Sequence, residues 1–256
     1  MNTYEIPGTA AHLFYHDLPG TTPALIMLHG LGSASSSWFP RAARHPGLQD
    51  ARSLLIDLLG YGYSDRPADH TYTMESQAEA VASLLDHLSL RGCIVIGHSM
   101  GGSIAILLAH ARPDLVSHLV IAEGNLDPGP GFVSGRITAG SERDFVHERY
   151  EQFRLQMVAA GYHDYAGTVR ASDPRCLYRS AVSLIADRSP TYRECLYRFA
   201  GARTYVFGSH TLPDPDERIL RDHGIDVRIV PAAGHDMMGD NPDGFARAVA
   251  DAIADA

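Results

Sequence analysis

The sequence predicts an α/β protein: a doubly wound, mostly parallel sheet of about eight strands, with a helical segment inserted into it. Three observations carry this. Short apolar runs recur along the chain, among them Ala24–Leu28, Ser53–Ile56, Cys93–Ile96, Leu119–Ala122, Thr204–Phe207 and Val227–Val230. Runs of this kind suit strands covered on both faces. Stretches of helical spacing separate most of them, and such alternation implies parallel pairing with helices on either side. From 125 to 199 the alternation stops and every periodic stretch is helical. A chain of 256 residues can bury the core such a sheet needs.

Taken in order, residues 1–18 predict two short strands joined at Pro7-Gly8, the second spanning about 11–16. The Ala24–Leu28 strand runs into the flexible loop His29-Gly30-Leu31-Gly32-Ser33. The Ser53–Ile56 strand runs into a second Gly-rich turn, Asp57 to Pro67. From Thr73 to Leu90 the period becomes helical, with Val81, Leu84, Leu85 and Leu88 on one face and Ser76-x-x-Glu79 as its capping box. The Cys93 strand, a helix to about Arg112 and the Leu119 strand follow, with Pro113 closing the helix. Within 125–199, helices are expected over about 142–160, 174–186 and 190–199. Asp214-Pro215-x-Glu217 has the order N-cap, N1 proline, N3 glutamate, and Asn241-Pro242 opens the last helix likewise. The expected organisation is a core of residues 1–124 and 200–256 with a helical cap of residues 125–199. The cap holds ten of the 21 arginines against nine acids, for a formal charge of +1, and the rest of the chain carries −10.

Composition narrows the chemistry. A net charge of −9 argues against nucleic acid or an anionic membrane surface as partner. All 21 basic residues are arginine, so lysine Schiff bases and Ser–Lys dyads are ruled out. Cys93, Cys176 and Cys195 form neither a disulfide framework nor a metal spacing, and no metal or cofactor is expected. No apolar run nears the roughly 20 residues of a membrane span. The first residues lack a basic and then apolar leader, so a cytoplasmic location is expected.

The chemistry centres on Gly97-His98-Ser99-Met100-Gly101-Gly102. It follows an apolar strand and precedes Ile104, Ala105, Leu107, Leu108 and Ala111 at helical spacing. Strand, sharp turn, helix is the setting of a G-x-S-x-G nucleophile elbow, with glycines where strand and helix approach closely. Ser99 then stands at a helix N-terminus, where unpaired N–H groups favour negative charge. Open α/β sheets bind ligands beyond the C-terminal ends of their strands. The loops His29–Ser33, Gly97–Gly102, Glu123–Asn125 and Gly234–Asp236 all fall at that edge.

With these pieces in place the chain resembles the α/β-hydrolase family over nearly its whole length. The resemblance rests on His29-Gly30-Leu31-Gly32, Gly60-Tyr61-Gly62-x-Ser64-Asp65-Arg66-Pro67, the Ser99 elbow, and Gly234-His235-x-Met237-Met238-x-x-Asn241-Pro242. It implies Ser99 as nucleophile and His235 as base, with the backbone N–H groups of Leu31 and Met100 as the oxyanion hole. A serine hydroxyl needs such a base, and the base needs a carboxylate to orient it. The family commonly places that acid in a G-x-x-D pattern, but here the chain reads Gly208-Ser209-His210-Thr211. Glu123, directly after the preceding strand, is the favoured acid, since some members, certain haloalkane dehalogenases among them, take it from there. Asp214 and Asp216 are the alternatives, and the helix-cap pattern already accounts for Asp214. His29 braces its loop or borders the pocket. Trp38, and from the cap Phe132, Tyr150, Phe153, Tyr162, Tyr165 and Tyr178, are the pocket candidates, each also explicable as packing.

The expectation is a serine hydrolase that cleaves a carboxylic ester, lactone or thioester of a small molecule with an apolar part through an acyl-Ser99 intermediate. The same triad could serve C–C bond hydrolysis, lyase or cyclase steps, or perhydrolysis. A receptor on the same fold, without turnover, is the reading from another class.

Overall fold

In the computed structural model, which describes residues 1–256, the apolar runs form eight strands in one sheet. In chain order they are β1 (Asn2–Glu5), β2 (His12–Leu18), β3 (Thr21–Leu28), β4 (Ala51–Asp57), β5 (Cys93–His98), β6 (Val116–Ala122), β7 (Ala202–Gly208) and β8 (Asp226–Val230). The spatial order is β1-β2-β4-β3-β5-β6-β7-β8. β2 pairs antiparallel with both β1 and β4, and every other pairing is parallel. Leu28 pairs with Gly97, His98 with Ala122, Ala122 with Val206, and Gly208 with Val230. This register brings the loops after β3, β5, β6, β7 and β8 to one edge.

The strands are apolar on both faces because both faces are covered. Leu25, Met27, Ile94 and Ile96 share one buried cluster with Ala42, Phe245 and Val249. These come from helices α2 (Pro40–Ala43), which follows α1 (Ser35–Trp38), and α13 (Pro242–Ala254). Ile26, Leu28 and Val95 point the other way, against Val81, Leu84, Ile104 and Leu108 of α3 (Met74–His87) and α4 (Met100–Ala111). Complete burial of a Leu or Ile contributes roughly 1.5–3 kcal/mol over its exposed state.

The cap of α3 lies three residues earlier than Ser76-x-x-Glu79 suggests. Thr73 is extended at φ −72°, ψ 159°, and its hydroxyl accepts from the Ser76 N–H at 3.1 Å. Ser76 Oγ in turn donates to the Thr73 carbonyl at 2.9 Å. Both residues are cap formers, and the buried Met74 between them decides the matter by joining the helix.

Between β6 and β7 the chain runs through helices alone. They are α5 (Phe132–Ile137), α6 (Glu142–Asp144), a π-helical turn Phe145–Arg149, α7 (Tyr150–Ala159), α8 (His163–Arg170), α9 (Pro174–Ile185) and α10 (Tyr192–Arg198). The single helix expected over 142–160 is therefore interrupted by the π turn. Thr191, not Pro190, caps α10, in a reciprocal pair with Glu194. α5 and α8 each carry an internal glycine, Gly135 and Gly167, which masks their period. This segment is tied to the sheet's C-terminal edge. Asp173 N–H donates to the Gly60 carbonyl at 2.8 Å, Arg66 donates to Ala171 O at 2.7 Å, and Tyr165 donates to Leu31 O at 3.0 Å. After β7 come α11 (Pro215–Asp222) and, following β8, α12 (Met237–Asp240).

Candidate active site

Ser99 occupies the junction of β5 and α4 at φ 51°, ψ −121°, a conformation that non-glycine residues rarely adopt and that costs about 1–3 kcal/mol. Its neighbours enforce this. The Ser99 N–H donates to Ala122 O at 2.9 Å, and Ser99 O accepts from Gly102 N–H at 2.8 Å. A Cβ on Gly101 would collide with the Leu28 carbonyl, and one on Gly97 with the Gly101 carbonyl. Only glycine allows β3, β5 and α4 to come this close. The turn raises Ser99 into a cavity of about 410 Å³ between the sheet edge and the inserted helices.

Glu123 and His235 line the same cavity. Glu123 also has a positive φ, 44°, at the end of β6. Its Oε1 accepts from Gly208 N–H at 2.8 Å and lies 2.6 Å from the Thr211 hydroxyl. Its Oε2 accepts from His235 Nδ1 at 2.7 Å. Burial pushes the Glu123 carboxyl up, but the hydrogen bonds from His235 and Thr211, the charge of His235 and the Gly208 N–H outweigh it and leave the group below its ordinary range. Burial pushes His235 down, and the hydrogen bond and charge of Glu123, with the charge of Asp236, carry it above its ordinary value. With Nδ1–H committed to Glu123, Nε2 is left as the acceptor on a ring whose side chain is 49% exposed.

Two other histidines at this edge, His29 and His98, are held neutral. His29 Nδ1 donates to Gly30 O at 2.8 Å, and its Nε2 accepts from Leu58 N–H at 3.0 Å, which ties the loops after β3 and β4 together. His98 donates from Nε2 to His235 O at 2.9 Å, and burial with the nearby His235 charge pushes it down to about 3. The N–H groups of Leu31 and Met100 donate to no protein group. For Met100 this follows from its place as the first residue of α4. Leu31 lines the cavity, and Met100 follows Ser99 directly.

Other sequence candidates lie elsewhere. Asp214 caps α11, accepting from Asp216 N–H at 2.8 Å, and Asp216 pairs with Arg193 at 2.8 Å. Neither reaches His235. Asp214→Ala is expected to lower stability by about 1 kcal/mol in urea unfolding, while changing ester kcat less than twofold. Phe132, Tyr162 and Tyr165 line the cavity. His29, Trp38 and Tyr150 do not, which corrects the pocket expected from sequence. His29 is buried as a loop brace, Trp38 packs against Gly239, and the Tyr150 hydroxyl donates to Val169 O at 2.6 Å. Phe153 and Tyr178 pack with Phe145. Sequence reasoning missed Met157 and Leu184 in the lining, Thr211 beside Glu123, and Asp236. The Gly208-x-x-Thr211 spacing was the one available signal for Thr211. One nitrogen each of His98 and His235 and an oxygen of Asp236 lie within 4.8 Å of one another.

Fold and edge together are those of a hydrolase built on a doubly wound sheet. This chain belongs to the alpha/beta hydrolase fold family, which matches it over residues 23–240. Among its relatives is the mouse sn-1-specific diacylglycerol lipase ABHD11, 28% identical over 94% of this chain and 85% of that protein. A 2-hydroxymuconate semialdehyde hydrolase of Pseudomonas sp. strain CF600 is 35% identical over 62% of each chain. A thermophilic esterase from Thermogutta terrifontis superposes with a TM-score of 0.80, at 20% identity, over 99% of this chain and 98% of that one. No helix is long and apolar enough to cross a membrane.

Proposed function

We propose that this protein is a serine hydrolase cleaving an ester-type bond of a small, partly apolar molecule, with residues 125–199 acting as a cap over the site. The observation that carries the reading is the 2.7 Å bond from His235 to a carboxylate fixed by two further donors, in the same cavity as a serine held at positive φ. His235 Nε2 takes the hydroxyl proton as Ser99 Oγ attacks the carbonyl carbon. The N–H groups of Leu31 and Met100 hold the oxygen as it becomes negative, and each such donor contributes about 3–4 kcal/mol to the barrier reduction. Collapse expels the alcohol or thiol with the proton from His235 and leaves the acyl group on Ser99. A water, deprotonated by the same nitrogen, then releases the acid. Three buried, free cysteines suit a reducing compartment such as the cytoplasm.

A test is hydrolysis of 4-nitrophenyl acetate as a function of pH. Protonated His235 cannot accept the serine proton, so kcat/KM falls as pH drops through the His235 pKa. Because that value is raised, the acidic limb is expected above the ordinary histidine value of about 6.5. Glu123 is lowered and stays ionised across this window. Absence of turnover at every pH, or a flat profile, contradicts the reading.

The similarity to a 2-hydroxymuconate semialdehyde hydrolase favours a second reading, C–C bond hydrolysis by the same residues. Turnover of 2-hydroxymuconate semialdehyde, set against turnover of 4-nitrophenyl acetate, separates it from ester cleavage.

A further inference from the structure

We infer that the site is built for substrates without negative charge, and that Asp236 is the residue that rejects anionic ones. This rests on the ester-cleaving reading and adds the charge class of its substrate. Asp236 follows His235 directly and lines the cavity. Its carboxylate makes no hydrogen bond and no ion pair. It stands at the N-cap position of α12, yet its side chain caps nothing. The neighbouring Asp240, by contrast, accepts from Gly234 N–H at 2.8 Å. No local structural task is therefore visible for Asp236. Glu123 has its charge balanced by three donors, so Asp236 is the one unpaired charge in the cavity wall.

No permanently charged cation in the wall offsets it. The chain has 21 arginines, and none lines the cavity. In the inserted helices several are held in outer ion pairs, Arg154 with Glu151, Arg179 with Glu142 and Arg193 with Asp127 and Asp216. Arg136 packs over the Phe132 ring, 4.0 Å from its centroid, and stays outside. A polar neighbour, His98, is also an acceptor. His98 spends its Nε2–H on His235 O, so its Nδ1 presents a lone pair. The other donors in the wall, the side chains of Ser33, Asn125 and Tyr162, are neutral and bring no positive charge to balance a bound carboxylate.

A charge on a bound substrate about 6–8 Å from Asp236 lies within about a Debye length of it. In a site of effective dielectric constant about 20, that repulsion corresponds to about 30- to 100-fold in kcat/KM. The test compares methyl 4-nitrophenyl adipate with mono-4-nitrophenyl adipate at pH 8, reading released nitrophenolate above background. The wild type is expected to favour the neutral ester by about 30- to 100-fold, and Asp236→Asn to shrink that ratio about tenfold. Salt should shrink the wild-type ratio as well, which reads the same repulsion without any variant. Equal kcat/KM for the two esters in the wild type overturns the inference. So does an unchanged ratio in an Asp236→Asn protein that still cleaves the neutral ester. If no ester is turned over, the ester-cleaving reading is what fails. The charge rule is then decided by calorimetric binding of dimethyl adipate against monomethyl adipate, where preference for the anion overturns it.

Discussion

Ser99→Ala is expected to lower kcat for 4-nitrophenyl acetate by on the order of 10⁴-fold or more. The substitution removes one oxygen and leaves the turn intact. Alanine has the same Cβ, so it meets the same backbone constraint at φ 51°. The bonds that impose this conformation, Ser99 N–H to Ala122 O and Gly102 N–H to Ser99 O, are main-chain and survive. The thermal midpoint should therefore stay close to that of the parent protein. The free N–H groups of Leu31 and Met100 also survive, so a small residual rate by direct water attack is expected. Loss of activity with an unchanged midpoint is the pattern of a nucleophile. Retention of more than a few per cent of kcat would remove Ser99 from that role.

Glu123→Gln is the second large effect, about 10³- to 10⁴-fold in kcat. The geometry explains why so small a change matters. Oε1 faces two donors, the Gly208 N–H and the Thr211 hydroxyl, so the glutamine carbonyl oxygen takes that side. The amide NH₂ must then face His235 Nδ1, 2.7 Å from the second carboxylate oxygen. Two donors cannot face each other, so His235 moves its proton to Nε2 or swings away. Either outcome removes the lone pair that Ser99 needs. Loss of the carboxylate charge also takes away the main influence raising His235, so the remaining activity should show its acidic limb at lower pH. An Asp214→Asn variant, whose side chain still caps α11, should keep its kcat. The opposite pattern, with Asp214→Asn inactive and Glu123→Gln active, would place the acid after β7.

The legible and illegible parts of the chain divide along physical lines. Strands buried on both faces announce themselves as unbroken apolar runs, and the structure lengthens them at their ends, by polar residues at Thr21 and Arg52. The elbow glycines are legible because backbone contact at Gly97 and Gly101 admits nothing else. His235 is legible from its place in a Gly-flanked loop after the last strand. The cavity wall is not. Phe132, Met157, Tyr165 and Leu184 come from four different helices of the inserted segment, and no spacing along the chain links them. Trp38, Tyr150 and His29 are the large residues a reader picks by type, yet packing and hydrogen bonds engage all three elsewhere. Thr211 lies where the common pattern carries an acid. The structure places its hydroxyl on Glu123, so the loop after β7 supplies donors to a carboxylate arriving from β6. That exchange is visible only once adjacent strand ends are placed side by side.

The arrangement also divides two carboxylates next to one histidine by their partners. Glu123 accepts three hydrogen bonds and is held below its ordinary range. Asp236 accepts none, and burial raises it above its ordinary value. The first is suited to orient a base, and the second faces whatever enters the cavity.

The central claim is that the Ser99 hydroxyl, activated through His235, attacks the substrate. Its most direct test is covalent labelling with diethyl 4-nitrophenyl phosphate, followed by peptide mass mapping. The expected result is one diethylphosphoryl group per chain, on Ser99, with loss of esterase activity in parallel and no labelling of the Ser99→Ala protein. Inactivation with Ser99 unmodified, or full modification of Ser99 with activity retained, would contradict it.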